Sequence, residues 1–365
     1  MGGENFNISA PKKRILVAPL EWGLGHATRC IPIIHELITQ KCEVFIAAEA
    51  GAQALLEEEF PHLQFLPVKG YRMRYSRKAY WMPLKILFQI PKIIYSIYSE
   101  HRWLKKAIGD HAIDAVISDN RFGCYNSVVP GIYITHQLKI KTGNRFTESI
   151  AQKINYRFIN RYSECWVPDV EGKANLAGEL SHPNFLPKIP VRYIGALSRF
   201  EKKCVEKKYD IAVILSGPEP QRTIFEDLLL VQLLGYNGSV LFVRGLPGGA
   251  SGRICVNQNI EMRDHLSSGE LNEAVLQSEM IISRSGYTTV MDLIKLGKKA
   301  ILIPTPGQPE QEYLAKYLMQ SHLFYCIAQK DFLLKSALDE VENFHSKDLS
   351  INTEYYKIIV RDFVS

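Results

Sequence analysis

The sequence predicts an α/β protein built as two domains, each a parallel sheet flanked by helices. Three observations predict it. Short apolar runs rich in branched residues alternate with helical patterns along the chain, and the same alternation restarts after a polar break near residue 200. The third is size: 365 residues exceed one ordinary core and suit two domains of ~150–200 residues each. A composition of 46% hydrophobic and 22% charged residues belongs to a globular chain and excludes wholesale disorder.

In the first half, Arg14–Pro19 reads as a strand running into a glycine-containing turn, Glu21-Trp22-Gly23-Leu24-Gly25. A helical pattern follows on Cys30, Ile31, Ile34, Leu37 and Ile38, then a strand at Cys42–Ala48. Ala115–Ser118, Gly131–Thr135 and Cys165–Pro168 are further brief β-rich runs bounded by turn residues. In the second half, Tyr209–Leu215 is a strand ending in Ser216-Gly217-Pro218, and strands follow at Ser239–Val243, Met280–Ser283 and Ala300–Pro304 with helices between them. Buried runs separated by helices indicate parallel sheets covered on both faces. No fixed-period repeat is present. The polar segment Arg199–Lys208 is the expected linker, which sets domains at 1–198 and 199–350. Residues 351–365 hold an amphipathic stretch, Glu354–Phe363, expected to return to the first domain. Each open sheet leaves a ligand crevice beyond the carboxyl ends of its strands, so facing crevices make the inter-domain cleft the expected site.

Residues 1–13 are polar and Ile15–Leu20 is too short for a signal core or a membrane span. Seven cysteines are scattered with no C-x-x-C, which argues against a disulfide framework or a zinc site and fits a reducing cytoplasm. The net charge of +6 is uneven: residues 1–200 carry 26 Lys+Arg against 17 Asp+Glu, the rest 18 against 21. The basic half is therefore the one expected to meet an anionic surface or substrate. No nucleic-acid-binding signature accompanies it, so nucleic acid is not expected as a partner. Within it, Lys69–Lys106 holds ten Lys/Arg and one acid, Glu100, interleaved with aromatics and branched aliphatics. Pro83, Pro91, Lys85 and Lys92 disqualify that segment as a transmembrane helix. It reads either as an interfacial helix on anionic lipid or as a core-facing helix with a solvated basic side.

The segment Arg284–Ala315 carries the most chemistry. A strand breaks at Ser285-Gly286 and starts a helix, whose N-terminus offers free N–H groups and a glycine that lets phosphate approach. Asp292 lies about two turns in, where a carboxylate accepts from a ribose, and Gln308, Glu310 and Gln311 suit sugar hydroxyls. The bland alternative makes Ser285 a helix cap and Glu310/Gln311 a solvated helix start. His26 follows the first strand and two glycines; its neutral imidazole suits general-base work, or it bonds a phosphate, or it merely starts a helix. Asp119 and His136 both end strands, and either is an alternative base. With no D-x-D and no His/Cys cluster, neither a metal site nor a cofactor is expected.

The run R-S-G-Y-T-T-V-M-D…G-Q-P-E-Q-E-Y-L-A resembles the C-terminal domain of family 28 glycosyltransferases. That group includes the peptidoglycan GlcNAc transferases acting on undecaprenyl-linked acceptors, and its fold, called GT-B, is two facing Rossmann-like domains, which the resemblance implies for this chain. E-W-G-L-G-H-A-T-R at Glu21–Arg29 resembles the family's N-terminal glycine–histidine loop, with Gly25 toward the donor. G-I-Y-I-T-H-Q at Gly131–Gln137 is similar to its strand-to-His segment, and G-A-L-S-R at Gly195–Arg199 to its inter-domain Gly-Asn-Pro-x-Arg. Ser216-Gly217-Pro218 stands where the family has a glycine–serine phosphate loop, with a departure toward proline, and Leu314 replaces a usual Asn. The resemblance implies diphosphate at Ser285 and Gly286, ribose on Asp292, donor sugar on Glu310 and Gln311, and Arg199 on the donor. Arg244 and Arg284 are reserve cations. The function it implies is an inverting, metal-independent glycosyltransferase moving a hexose-type sugar from a UDP-sugar to a lipid-linked or other cell-envelope acceptor, cytoplasmic and peripheral on the inner face of the membrane. The run Gly25–Cys30 also resembles UDP-sugar hydrolases of the same fold; an epimerase and an inert sugar-nucleotide sensor are the remaining alternatives.

Overall fold

A computed structural model describes residues 12–21, 23–71, 82–246, 254–255, 257–347 and 351–365. Seven short strands form the first sheet: β1 (Arg14–Pro19), β2 (Glu43–Ala48), β3 (Gln64–Pro67), β4 (Ala115–Asp119), β5 (Gly131–Ile134), β6 (Glu164–Val167) and β7 (Val191–Tyr193). They lie in the order β3-β2-β1-β4-β5-β6-β7, every neighbour parallel. The second sheet holds β8 (Tyr209–Ile214), β9 (Val240–Val243), β10 (Ile254–Cys255), β11 (Ile260–Arg263), β12 (Ser278–Arg284), β13 (Lys299–Ile303) and β14 (Tyr325–Cys326). Its order is β10-β11-β9-β8-β12-β13-β14, parallel except for the β10–β11 pair. Parallel neighbours require crossover connections, and helices supply most of them.

Helices α1 (Leu24–Thr39), α2 (Ala50–Glu59), α3 (Met82–His111) and α4 (Arg145–Ile159) belong to the first half. In the second are α5 (Gln221–Leu233), α6 (Ser268–Gln277), α7 (Tyr287–Leu296), α8 (Pro309–Gln320) and α9 (Leu334–Glu342), and α10 (Tyr355–Val364) ends the chain. Local sequence sets several boundaries. Ser267 and Glu270 form a reciprocal capping box on α6, Pro309 occupies the first turn of α8, and α7 stops at Gly297, left-handed at φ 65°. The central strands β1 and β4 are buried on both faces, as their unbroken apolar runs require.

Both sheets reverse strand order beside their first strand, between β1 and β4 and between β8 and β12. Those are the switch points where ligands bind in open α/β sheets. Their carboxyl ends deliver the residues just before α1, Asp119, the Ser216–Gly217 turn and Ser285–Gly286. The two halves share one apolar cluster, to which Ala27 and Ile31 of α1 and Val290 and Met291 of α7 all belong, and α1 packs against α7. Tyr356, Ile359 and Val360 of α10 join it, and Phe363 packs edge-on to Trp166 at 5.5 Å. Of the basic segment Lys69–Lys106, residues 72–81 lie outside the described residues, as does Trp22. Its remainder forms most of α3, with Ile94, Tyr95 and Tyr98 exposed. No helix among the described residues is long and apolar enough to cross a membrane.

Candidate active site

The first sheet builds a hydrogen-bonded chain of ionisable groups at its switch point. Gly23, at φ 80°, turns the chain from β1 into α1, a conformation that favours glycine, and sets His26 in the first turn. His26 Nδ1 lies 2.8 Å from Oδ1 of Asp119, the last residue of β4. One turn along α1, Arg29 donates to both oxygens of Asp119 through Nε and Nη2. The same Nη2 is 2.8 Å from His26 Nδ1, and Nη1 is 3.0 Å from His136 Nδ1. A guanidinium only donates, so His136 Nδ1 accepts and its Nε2–H points at Oε1 of Glu310, 2.7 Å away in the second half. Burial alone would raise the Asp119 pKa; Arg29 and His26 overcome it and hold the group at about 2. Burial lowers the His26 pKa, with Asp119 pulling it up and Arg29 and His136 pushing it down. Glu310 is also lowered, because His136, His26 and Arg29 outweigh its burial.

The second sheet contributes the facing wall. Gly286 caps α7 at an ordinary φ of −73°, and an added Cβ would meet nothing nearer than Thr289 Oγ1 at 3.9 Å. Neither backbone nor packing demands glycine there, and its bareness leaves the helix N-terminus open to an anion. Ser285 Oγ donates to the Gln311 carbonyl at 3.0 Å, while Gln311 Oε1 accepts from Thr305 N at 2.9 Å, so the two expected donor loops brace one another. Tyr287 stacks on His136 at 4.3 Å and donates to the Pro168 carbonyl at 2.7 Å. Thr288 Oγ1 donates to the Gly25 carbonyl at 3.2 Å, and a Cβ on Gly25 would come within 2.9 Å of that hydroxyl. Asp292 accepts from Ser198 Oγ at 2.5 Å; burial raises its pKa to about 6 against the pull of Arg199 and Ser198. Arg199 donates to Ser268 Oγ at 3.0 Å, and its Nε is buried without a partner. Ser216 and Gly217 are exposed on the turn after β8, with Gly217 at φ 109°. Among the described residues, no group of three or more His, Cys, Asp or Glu is placed to hold a metal ion.

Residues 263–358 match the glycosyltransferase family 28 C-terminal domain. The UDP-N-acetylglucosamine--N-acetylmuramyl-(pentapeptide) pyrophosphoryl-undecaprenol N-acetylglucosamine transferase of Haemophilus influenzae is 24% identical, over 93% of this chain and 92% of that one. The protein of the same name from Glaesserella parasuis is 23% identical over 90% and 89%. Among solved structures, the spinosyn rhamnosyltransferase SpnG superposes with a TM-score of 0.62 at 14% identity, covering 96% of this chain and 95% of that one. MurG of Acinetobacter baumannii superposes at 0.52 and 13%, covering 96% and 94%. The chain has the GT-B fold of the glycosyltransferases, and its residues 263–358 form a family 28 C-terminal domain.

In this glycosyltransferase the sequence-derived residues fall into three groups. His26, Asp119, His136 and Glu310 form one bonded chain through Arg29, with Gly25, Ser285, Gly286 and Gln311 on the walls beside it. Asp292 and Arg199 sit together at the junction of the halves, while Ser216 and Gly217 make no side-chain bond to either group. The reserve cations differ. Arg244 is neutralised by Glu226 and Asp264, each at 2.8 Å. Arg284 is 1% exposed, bonded only to the carbonyls of Pro304 and Gln221 and lying 3.9 Å over Phe225, and burial lowers its pKa to about 9. No carboxylate among the described residues pairs with it. Arg29, Tyr287 and Ser198 were not singled out by sequence reasoning. A signal existed for Arg29 alone: a cation three residues after His26 on an otherwise apolar helix face.

Proposed function

We propose that this glycosyltransferase is inverting and metal-independent, moving a hexose-type sugar from a UDP-sugar to a hydroxyl of a lipid-linked or other cell-envelope acceptor. The observation that carries the reading is the His26–Asp119 contact of 2.8 Å at the first switch point, facing the N-terminus of α7 across the cleft. With its Nδ1 proton donated to Asp119, His26 keeps a lone pair on Nε2 for the acceptor hydroxyl. The acceptor oxygen attacks the anomeric carbon as His26 takes its proton, the bond to the diphosphate oxygen breaks, and UDP leaves. Asp119, saturated by Arg29 and held ionised, orients the imidazole rather than acting as the base. His136 presents an N–H toward Glu310, which suits a donor rather than a base.

On the donor side, the diphosphate lies at the α7 N-terminus beside Ser285 and Gly286, with the Ser216–Gly217 turn as a second phosphate lip. Charge on the leaving group is met by backbone N–H groups, Arg199 and the unneutralised Arg284 beneath the strand end. Asp292 takes the ribose, and Glu310 and Gln311 take the sugar. The names of the Haemophilus and Glaesserella relatives carry a UDP-sugar donor and an undecaprenol-linked acceptor, which supports extending both classes to this chain. The basic half, with α3 exposing Ile94, Tyr95 and Tyr98 near Lys105 and Lys106, fits a protein peripheral on the cytoplasmic membrane face.

The test is UDP release from a panel of UDP-sugars, with and without a lipid extract. Release that requires the extract, and that falls ~10²-fold in His26→Ala while UDP still binds, is the expected result. Equal release without any acceptor would make the protein a nucleotide-sugar hydrolase instead.

A further inference from the structure

Arg29 lies one turn beyond His26 on the same helix and is 2% exposed. Its nitrogens reach three groups from three elements: both oxygens of Asp119 at the end of β4, Nδ1 of His26 on α1, and Nδ1 of His136 after β5. His26 Nδ1 therefore stands 2.8 Å from a carboxylate that only accepts and 2.8 Å from a guanidinium that only donates. A single ring nitrogen cannot satisfy both. With the proton on Nδ1, Asp119 is served and Nε2 is free to take a proton. With Nδ1 accepting from Arg29, Nε2 holds the proton and the ring cannot act as a base.

Two electrostatic effects follow from the same placement. By gripping both carboxylate oxygens, Arg29 fixes Asp119 beside His26, the geometry that favours the productive tautomer. Its positive charge simultaneously opposes a second proton on the ring. The charged and titratable groups facing His26 are Arg29 on its own helix, Asp119 from β4, His136 from the turn after β5 and Glu310 from α8. Cys30 also reaches Asp119, its Sγ 3.8 Å from Oδ2. Burial is the largest effect and disfavours the protonated ring; Asp119 pulls the imidazole toward protonation, and Arg29 is the permanent cation that opposes it.

We propose that Arg29 is a positioning residue for the transfer reaction, fixing Asp119 on His26 and keeping the His26 imidazole neutral until the acceptor hydroxyl delivers its proton. This rests on His26 being the base. The two partners of the pair act on His26 with opposite signs, and because any charge this close shifts the ring, the acid limb of kcat/KM is what separates a part in the reaction from a merely structural ion pair.

The experiment is an NMR titration of the His26 ring in the full-length protein, its signal assigned by loss in His26→Gln. It is run on the parent, Arg29→Gln, Arg29→Lys and Asp119→Asn, with the acid limb of kcat/KM recorded alongside. Arg29→Gln raises the His26 midpoint by about one pH unit, Asp119→Asn lowers it, and Arg29→Lys stays near the parent. In Arg29→Gln the acid limb follows the ring upward. If Arg29→Gln does not fold, the Arg29→Gln/Asp119→Asn double variant, which leaves no lone charge buried, titrates above Asp119→Asn alone. An unmoved midpoint, or shifts of the same sign in both single variants, overturns the proposal and leaves the base assignment standing. A midpoint that moves as stated while the acid limb stays put overturns the base assignment, and Arg29's part in the reaction with it.

Discussion

In the donor site proposed above, a carboxylate with a pKa near 6 makes ligand binding sensitive to mild acid. Asp292 owes that value to burial, which the Ser198 hydroxyl and nearby Arg199 only partly offset. A ribose hydroxyl donates better to the ionised form, so UDP affinity rises as pH climbs through about 6. The stability linkage has the opposite sense. The folded pKa exceeds the ordinary 3.8, so protonated Asp292 lends stability that is complete below that value and lost as pH rises through about 6. In Asp292→Asn, calorimetric UDP binding and thermal melting between pH 5 and 7 both lose that component, and UDP affinity drops by roughly 1–3 kcal/mol at pH 7. An affinity that is unchanged at pH 7 removes Asp292 from the ribose. The position of Asp292 on the helix after Ser285-Gly286 was legible in the local pattern; its burial against Ser198 and Arg199 was not. Arg29 was not legible either, because an arginine near a helix start reads as solvated surface until the strand carrying Asp119, 90 residues away, is folded against it.

At the scale of elements, the central strands were plain in the sequence and the edges were not. β1, β4, β8 and β12 lie between two neighbours, and burial on both faces forces long apolar runs. By contrast the edge strands β3 (QFLP), β7 (VRY) and β14 (YC), and β11 (IEMR) next to the edge strand β10, are short and mixed, because their pairing comes from a stronger neighbour rather than from their own pattern. The glycine before His26 illustrates a constraint between elements. Gly25→Ala drives a Cβ to 2.9 Å from Thr288 Oγ1, wedging α1 from α7. A loss of about 1–3 kcal/mol is expected, recovered in large part by adding Thr288→Ala, and melting temperatures of the two single variants and the double read it. Additive losses would show that the helices do not meet there. For α3, charge removal at Lys92, Lys105 and Lys106 abolishes sedimentation with anionic vesicles, while neutral vesicles bind neither form. Failure of the parent protein to sediment would end the lipid reading of this helix.

For the whole molecule, two Rossmann-like units were readable because the same strand–helix grammar occurs twice. How tightly the units close on one another was not. His136 and Glu310 stand 174 residues apart, and Gly25 and Thr288 stand 263 apart. No local pattern can pair residues at such separations, so the sequence located the walls of the cleft without their contacts. One feature of the chain path bears on how those walls move. The backbone passes from the first sheet to the second after β7 and returns before α10, and the passes touch: a Cβ on Gly195 would lie 2.7 Å from the Asn352 carbonyl. The halves are thus joined twice at one place, which makes that place the natural hinge for any change in the cleft. Cutting the backbone once would leave both halves still hung together.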